Sequence, residues 1–175
     1  LQDAFEGMST AGSAGSYRFH ARLADGRVAD VTAISPSPAN VTVTVLSRDG
    51  DGTASPELLQ VVRDALNDED VRPVADRVIV QAAKITRYGI DATLFLYPGP
   101  EVAPILTEAK QRLQNYVLTM RRLGRSIRRS GIIAALTVEG VERVEVAQPA
   151  ADIVLDKTQA GYCTDVNIIP GRADD

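Results

Sequence analysis

Valine and threonine alternate along one short stretch of the chain, where Val41, Val43 and Val45 are separated by Thr42 and Thr44. A period of two with β-branched side chains is typical of a β-strand. Similar but less regular patterns predict five further strands, at residues 27–34, 77–85, 88–97, 141–146 and 164–169. The sequence therefore predicts a protein with substantial β-sheet.

Two short segments are expected to end or connect these strands. Ser35-Pro36-Ser37-Pro38 should end the strand at 27–34, because proline lacks the N–H that a sheet requires. Arg87-Tyr88-Gly89 is predicted to be a tight connection between two antiparallel neighbours. Both predictions concern where strands stop rather than whether they form.

Apolar positions spaced three and four residues apart predict the helices. The longest begins near Glu101 and keeps one apolar face for about five turns, roughly 30 Å, with Gly124 expected as its C′ residue. Ser55, followed by proline and glutamate, is a favourable N-cap for a second helix. Shorter helices are predicted at 17–23 and after Ser130, the expected N-cap of the last helix.

The order of these elements indicates the fold class. Residues 41–147 follow the pattern β-α-β-β-α-α-β, which predicts an α+β fold with a ferredoxin-like split βαβ sandwich, one added helix and additional flanking strands. We expect four segments: a linker or extended arm at 1–16, the end of a preceding subdomain (short helix and strand) at 17–38, the ferredoxin-like domain at 39–147, and a C-terminal extension with a final strand at 148–175.

Composition and charge exclude several classes of function. The chain has 175 residues, 45% hydrophobic and 24% charged, which is typical of a globular protein. No apolar run approaches the roughly 18 residues of a membrane span. The net charge of −4 disfavours binding to nucleic acid or anionic lipid. One cysteine and one histidine exclude intrachain disulfides and zinc sites made of several Cys or His ligands, and we expect no metal and no cofactor.

The segment from Asp49 to Ser55 lies between a predicted strand and a predicted helix, where a dinucleotide-binding loop would lie. Ser55 replaces the third glycine of that motif, and Asp49 and Asp51 would repel a pyrophosphate. As a calcium loop it has Gln60 at the twelfth position, where a bidentate glutamate is needed. We interpret the segment as a tight strand-to-helix turn.

Two residues are candidates for catalysis and neither has a suitable partner in the sequence. His20 would need an activated serine, and the chain has no Gly-x-Ser-x-Gly motif. Cys163 has no nearby base and is interpreted as a small buried residue. We therefore predict no catalytic residue and no enzyme activity.

Five arginines lie between the end of the long helix and the next helix: Arg121, Arg122, Arg125, Arg128 and Arg129. They are consistent with favourable charge at a helix C-terminus, with an interface to acidic groups of a partner, or with nucleic-acid binding. The last is disfavoured because no aromatic residue is interleaved to stack bases. These residues, the arginine cluster, are the candidate interface.

Several segments of turn, cap and core residues follow one another along the chain in a characteristic order. They are Gly15 to Ala21, Val28-Ala29-Asp30, Ser35 to Pro38, Val43 to Thr53, Val71-Arg72-Pro73 with Asp76 and Val78, Tyr97 to Pro100, Leu123-Gly124 with Arg128 and Ser130, and Gly140 to Val144. In this order they resemble the C-terminal half to two thirds of baseplate J-like proteins, the wedge components of contractile phage tails and related injection machines. The resemblance covers nearly the whole chain.

The resemblance implies a structural, non-enzymatic component of the virion tail baseplate, assembled in the host cytoplasm. It implies contacts with further copies of the chain, as a homo-oligomer within a larger assembly, and with other wedge and hub proteins. The chain begins Leu-Gln-Asp, so we expect it to lack the N-terminal portion of full-length members. Two alternatives stay open: a ferredoxin-like regulatory or small-ligand-binding module, and an enzyme that uses His20, Asp49 or Asp51.

Overall fold

The computed structural model describes residues 14–68, 71 and 76–171. The described residues form four helices and six strands in two three-stranded sheets, which confirms the α+β class. In chain order the elements are α1 (Ala14–Ala24), β1 (Val28–Ser37), β2 (Asn40–Ser47), α2 (Pro56–Leu66), β3 (Arg77–Ala82), β4 (Lys84–Leu96), α3 (Val102–Met120), α4 (Arg129–Leu136), β5 (Val141–Gln148) and β6 (Gln159–Gly171).

These elements are divided between two compact units. The N-terminal unit contains the described residues up to Ile85, together with Arg122–Gly124 and Lys157–Ala160. The C-terminal unit contains Thr86–Arg121, Arg125–Asp156 and the described residues from Gly161 onward. The chain is therefore divided differently from the expected segments 17–38, 39–147 and 148–175, because α1 and β1 share one unit with β2.

The N-terminal unit is built on the sheet β1-β2-β3. β1 and β2 pair as antiparallel strands, whereas β2 and β3 are parallel and are connected through α2. The Ser55 hydroxyl accepts a hydrogen bond from the Leu58 N–H, so the predicted N-cap is confirmed. Leu58, Val62 and Leu66 then occupy one buried face of α2 and pack with the valines of β2 and with Tyr17 of α1.

The structure corrects two expectations about the beginning of the chain. Ala14, Gly15 and Ser16 form the first turn of α1, so they do not belong to an extended arm; residues 1–13 lie outside the described residues. The segment 35–38 does not end β1, which continues to Ser37 and pairs with Asn40 across a tight turn. Prolines are tolerated there because β1 is an edge strand and its outer N–H groups have no ladder partner.

The C-terminal unit is built on the sheet β5-β4-β6, with β4 and β5 antiparallel. Helices α3 and α4 supply the rest of its core. Ile105, Ala109 and Leu113 lie four residues apart on the buried face of α3, and they share one cluster with Leu94 of β4 and Leu136 of α4. The long amphipathic helix and the shorter helix after it are both confirmed.

A single residue, Ala83, separates β3 from β4, and the two strands lie in different sheets. The Ala83 N–H donates to the Val45 carbonyl of β2, and the Lys84 N–H donates to the Thr158 carbonyl, so the backbone partner changes between adjacent residues. Residues 87–89 lie inside β4, and the turn predicted there is wrong. Four strands expected in one sheet are thus divided between two sheets, and the ferredoxin-like arrangement is not confirmed.

The connection between α3 and α4 also differs from its prediction. α3 ends at Met120, and Gly124, with φ of 72°, lies in a later turn rather than at the C′ position. α4 begins at Arg129, so Ser130 is inside the helix and is not its N-cap. An acidic residue distant in sequence satisfies this end of the helix instead.

That residue is Asp152, whose Oδ1 accepts the Arg129 N–H at 2.8 Å and whose Oδ2 accepts the Arg128 guanidinium at 3.1 Å. The hydrogen bond from the Arg129 backbone, followed by that from the Arg128 side chain, holds the pKa of Asp152 below its ordinary value. A carboxylate at a helix N-terminus also interacts favourably with the helix dipole.

Replacing Asp152 by asparagine should change how stability depends on pH. A lowered pKa in the folded state means that the carboxylate stabilises the fold above about pH 4, and that this contribution is lost as the pH falls through the lowered pKa. Asp152→Asn should therefore be less stable than wild type at neutral pH, with the difference shrinking in acid. Urea unfolding at several pH values measures this difference in the free energy of unfolding. Glu139→Gln, which removes an exposed carboxyl, is the control and should show the same dependence of stability on pH as wild type.

Gly140, before β5, should not tolerate a side chain. Its φ is 93°, and an added Cβ would lie 2.6 Å from Cδ1 of Ile105 in α3. Gly140→Ala should lower the free energy of unfolding by roughly 1–3 kcal/mol, as measured in urea. Gly26→Ala is the matched control, because an added Cβ there meets no heavy atom within 4 Å. Equal stability of the two variants would contradict this account of the turn.

Candidate functional site

Three members of the arginine cluster are engaged within their own chain. The Arg121 guanidinium lies 5.1 Å from the centre of the Tyr162 ring, a cation–π contact. Arg128 pairs with Asp152 at 3.1 Å. The Arg129 guanidinium donates to the Val146 carbonyl at 2.8 Å and to the carbonyl of the residue after β5. The Arg129 contacts hold α4 against β5, whereas Arg121 contacts β6 and Arg128 contacts the segment after β5. All three arginines therefore serve the fold.

Arg122 and Arg125 are exposed and differ from the other three. Neither makes a hydrogen bond or ion pair with another residue that the structure describes. Arg122 belongs to the N-terminal unit and Arg125 to the C-terminal unit. The arginine cluster, continuous in sequence, is thus divided between the two units.

Arg122 lies beside two arginines that are not members of the arginine cluster. Arg22 of α1, Arg48 after β2 and Arg122 line a depression of about 240 Å³ that also contains Val28, Ala29 and Asp30 of β1. We call this depression the arginine pocket. Its arginines are separated by 26 and 74 residues in sequence (22, 48 and 122), so no local pattern signals it.

Asp30 organises the arginine pocket. Its Oδ1 accepts Nη2 of Arg22 at 2.9 Å and the Val31 N–H at 2.9 Å, while its Oδ2 accepts the Leu123 N–H at 3.1 Å. Only 14% of the Asp30 side chain is exposed. The carboxylate therefore joins α1, β1 and the segment 122–124 within the N-terminal unit.

The loop from Asp49 to Ser55 forms the predicted tight turn. The Gly52 N–H donates to the Asp49 carbonyl at 3.0 Å, and the Ser47 N–H donates to the Gly52 carbonyl at 2.8 Å. Asp51 accepts the Thr53 N–H at 3.0 Å, so its carboxylate closes the turn. Within the described ranges no group of three or more His, Cys, Asp or Glu side chains is placed to hold a metal ion.

The two candidate catalytic residues lie in unreactive surroundings. The His20 ring, half-buried on α1, makes an edge-on contact with Phe19 at a centroid distance of 5.4 Å. Cys163 is half-buried rather than fully buried as expected, and its thiol donates to the Asp165 carbonyl. Burial raises the pKa of the Cys163 thiol, which disfavours the nucleophilic thiolate.

The Asp25 carboxyl lies in the turn between α1 and β1 and has a lowered pKa. Hydrogen bonds from the Arg27 side chain and then from its backbone N–H lower the pKa of Asp25 to about 2. Arg27 also donates to Glu57 of α2 at 3.2 Å, so it connects this turn to that helix. Asp25 stays ionised across the physiological range, which suits an ion pair and not a general acid or base.

A groove of about 430 Å³ lies between α3 and β6 in the C-terminal unit. Leu113, Val117 and Val166 form its apolar walls, with Lys110 at its margin. Asp165 also lines it and accepts the Thr164 hydroxyl at 2.7 Å. None of these groups forms a nucleophile–base pair. In the part of the chain that is described, no helix combines the length and apolar character of a membrane span.

Two family models match successive parts of the chain. The Baseplate J-like central domain matches residues 9–82, and the Baseplate J-like protein C-terminal domain matches residues 88–169. The break between the matches falls at residues 83–87, where β3 gives way to β4 and where the N-terminal unit reaches Ile85. Sequence and structure thus divide this region of the chain at the same place.

A curated relative matches over the full length. The chain is 59% identical to Baseplate protein J of Escherichia phage P2 over 175 residues, which is 100% of this chain and 58% of that protein. The chain thus spans somewhat more than half of the relative's length. With both domain matches, this identity establishes that the chain belongs to the baseplate J-like protein family and carries its central and C-terminal domains.

Proposed function

We propose that this chain is a structural component of a contractile phage tail baseplate, a wedge protein that acts in virion tail assembly through protein–protein interfaces. The observation that carries the proposal is the 59% identity, over the whole chain, to a protein named for the baseplate. The alternative of a ferredoxin-like regulatory or small-ligand-binding module is not favoured, because the match covers the whole chain.

The chemistry of the described residues supports a non-enzymatic role. Asp25 and Asp152, whose pKa values are lowered, are both held in ion pairs that fix turns and helix ends. Such pairs stabilise structure and do not exchange protons near neutral pH. Catalysis needs a nucleophile, acid or base placed within hydrogen-bonding reach of its partner, and no residue that the structure describes forms such an arrangement with His20 or Cys163.

Sheet edges supply surface for assembly. In the C-terminal unit, β6 lies at the edge of the sheet β5-β4-β6, and its Val166 and Ile169 are exposed by 47% and 48%. An edge strand presents unpaired backbone groups to a neighbouring chain, and apolar side chains beside it add buried area. Permanent complexes commonly bury about 2,000 Å² or more, which extended edges and long helices provide without reactive groups.

The proposed partners are other copies of the chain, as a homo-oligomer within the assembly, and other wedge and hub proteins, in the virion tail baseplate and in the host cytoplasm during assembly. Arg125 is the member of the arginine cluster best suited to such a contact within the C-terminal unit, since it is exposed and has no ion pair with another described residue. A guanidinium binds a carboxylate with two parallel hydrogen bonds and tolerates partial burial.

Loss of the gene should abolish baseplates. In a phage or tail-like particle that encodes the full-length protein, a deletion should leave unassembled tail components, because the surface that joins the wedges is missing. Electron microscopy and sedimentation of lysates measure this, with wild-type protein supplied in trans as the control. Intact, contractile tails in the deletion strain would refute the proposed function.

Charge reversal separates assembly from folding. Arg125→Glu should prevent incorporation into baseplates while the free energy of unfolding stays within about 0.5 kcal/mol of wild type, as expected for a surface substitution. Arg128→Glu should impair both, because it places a carboxylate beside Asp152. Tail yield and urea unfolding of the full-length variants are the two measurements. Normal tails with Arg125→Glu would show that Arg125 is a solvated surface residue without a role in assembly.

A further inference from the structure

The arginine pocket carries more positive charge than the described residues that line it neutralise. Arg22, Arg48 and Arg122 converge on a depression whose one acidic side chain is Asp30. That carboxylate already accepts three hydrogen bonds, from Arg22 and from the N–H groups of Val31 and Leu123. Asp30 thus balances one guanidinium and leaves the charges of Arg48 and Arg122 without a counter-charge in the pocket.

We propose that the arginine pocket binds the carboxylate of an Asp- or Glu-rich segment of a neighbouring baseplate protein. This inference rests on the proposed function and assigns it a specific contact. Charge complementarity identifies the partner as acidic, because a second basic surface would be repelled by Arg48 and Arg122. The pocket adds residues of α1 and of the loop after β2 to an interface that the sequence placed only near residues 121–129.

The Arg48 side chain and the backbone next to Arg122 are held in place by their surroundings. Nε of Arg48 donates to the Gly26 carbonyl at 2.9 Å, and the Arg48 N–H donates to the Arg27 carbonyl at 2.8 Å. Arg48 therefore keeps its terminal amino groups for an external acceptor. Next to Arg122, Leu123 is buried and its N–H is bonded to Asp30, which fixes the backbone at the rim of the pocket. Prior ordering of the Arg48 side chain and of the backbone beside Arg122 lowers the entropy lost on binding.

The size and lining of the pocket suit a carboxylate and not a nucleic acid. A depression of about 240 Å³ admits one or two acidic side chains. Its uncharged lining consists of Val28 and Ala29, which provide no aromatic face for stacking a base. An acidic protein segment meets all of these conditions.

Charge reversal in the pocket tests the proposal in the assembling particle. Full-length protein with Arg48→Glu and Arg122→Glu should reduce tail yield about tenfold or more, corresponding to loss of one charge-paired contact. Arg18→Glu, at an exposed arginine of α1 outside the pocket, is the matched control and should leave the yield unchanged. Suppressor mutations that replace an acidic residue of another tail protein by lysine are expected. Wild-type yield from the double variant would overturn the proposal.

A binding measurement tests the pocket independently of assembly. A fluorescent peptide of alternating Asp and Glu should bind the full-length protein in an anisotropy titration, weaken with salt, and lose about tenfold in affinity with Arg48→Gln and Arg122→Gln. These neutral changes keep the side chains polar and place no carboxylate beside Asp30, so folding is preserved. Equal binding by the variant, or preference for a single-stranded oligonucleotide over the peptide, would refute an acidic protein partner.

The two proposals fail in different ways. If deletion of the gene abolishes tails but the pocket variants assemble and bind peptide as wild type does, the pocket assignment is wrong and the structural role stands. If deletion leaves tails intact, the structural role is wrong, and the peptide titration still decides whether the pocket binds acidic segments. Urea unfolding of each variant confirms that differences in yield arise from the surface.

Discussion

The backbone at Ala83 and Lys84 sets the architecture of this protein. Ala83 donates its hydrogen bond to Val45 in the first sheet, and Lys84 donates to Thr158, next to the start of β6. No residues remain for a reversing loop, so β4 cannot fold back beside β3. Ala83 is buried in a small cluster with Leu46, Leu123 and Ala160. Because Ala83 is packed in this cluster, the change of hydrogen-bond partner between Ala83 and Lys84 is fixed in the core. The strands on either side of it therefore belong to two small sheets instead of one larger sheet.

Local chemistry explains what the sequence predicted correctly. The N-cap at Ser55, the alternation around Val43 and the apolar face of α3 each involve residues within a few positions of one another, so their patterns identify the elements directly. The break at Ala83 depends on Val45 and Thr158, which are 38 and 75 residues away, and β-periodicity continues through it. The sequence mispredicts the first residue of α4 for the same reason, because Asp152, which lies beyond β5, stabilises that end of the helix.

The candidate interface shows the same division between local and distant signals. Residues 121–129 contain five arginines, but the sequence does not reveal which of them have hydrogen-bond or ion-pair partners within the chain. Arg129 binds carbonyl groups near β5, whereas Arg122 joins Arg22 and Arg48 around Asp30. The charge of a residue is a property of the sequence, but its availability to another protein depends on long-range contacts. Family resemblance identified the biological context, and geometry distinguishes arginines that support the fold from those that remain free.

Proline in the edge strand β1 limits the pairing of this strand with other chains. Pro36 lies within β1 and Pro38 follows it, and neither can donate a backbone hydrogen bond. If a strand of another chain paired with this end of β1, the carbonyl groups of that strand opposite the prolines would have no hydrogen-bond donor. Such a strand is a poor template for cross-β aggregation. The two prolines therefore limit edge-to-edge pairing between chains at this end of the first sheet.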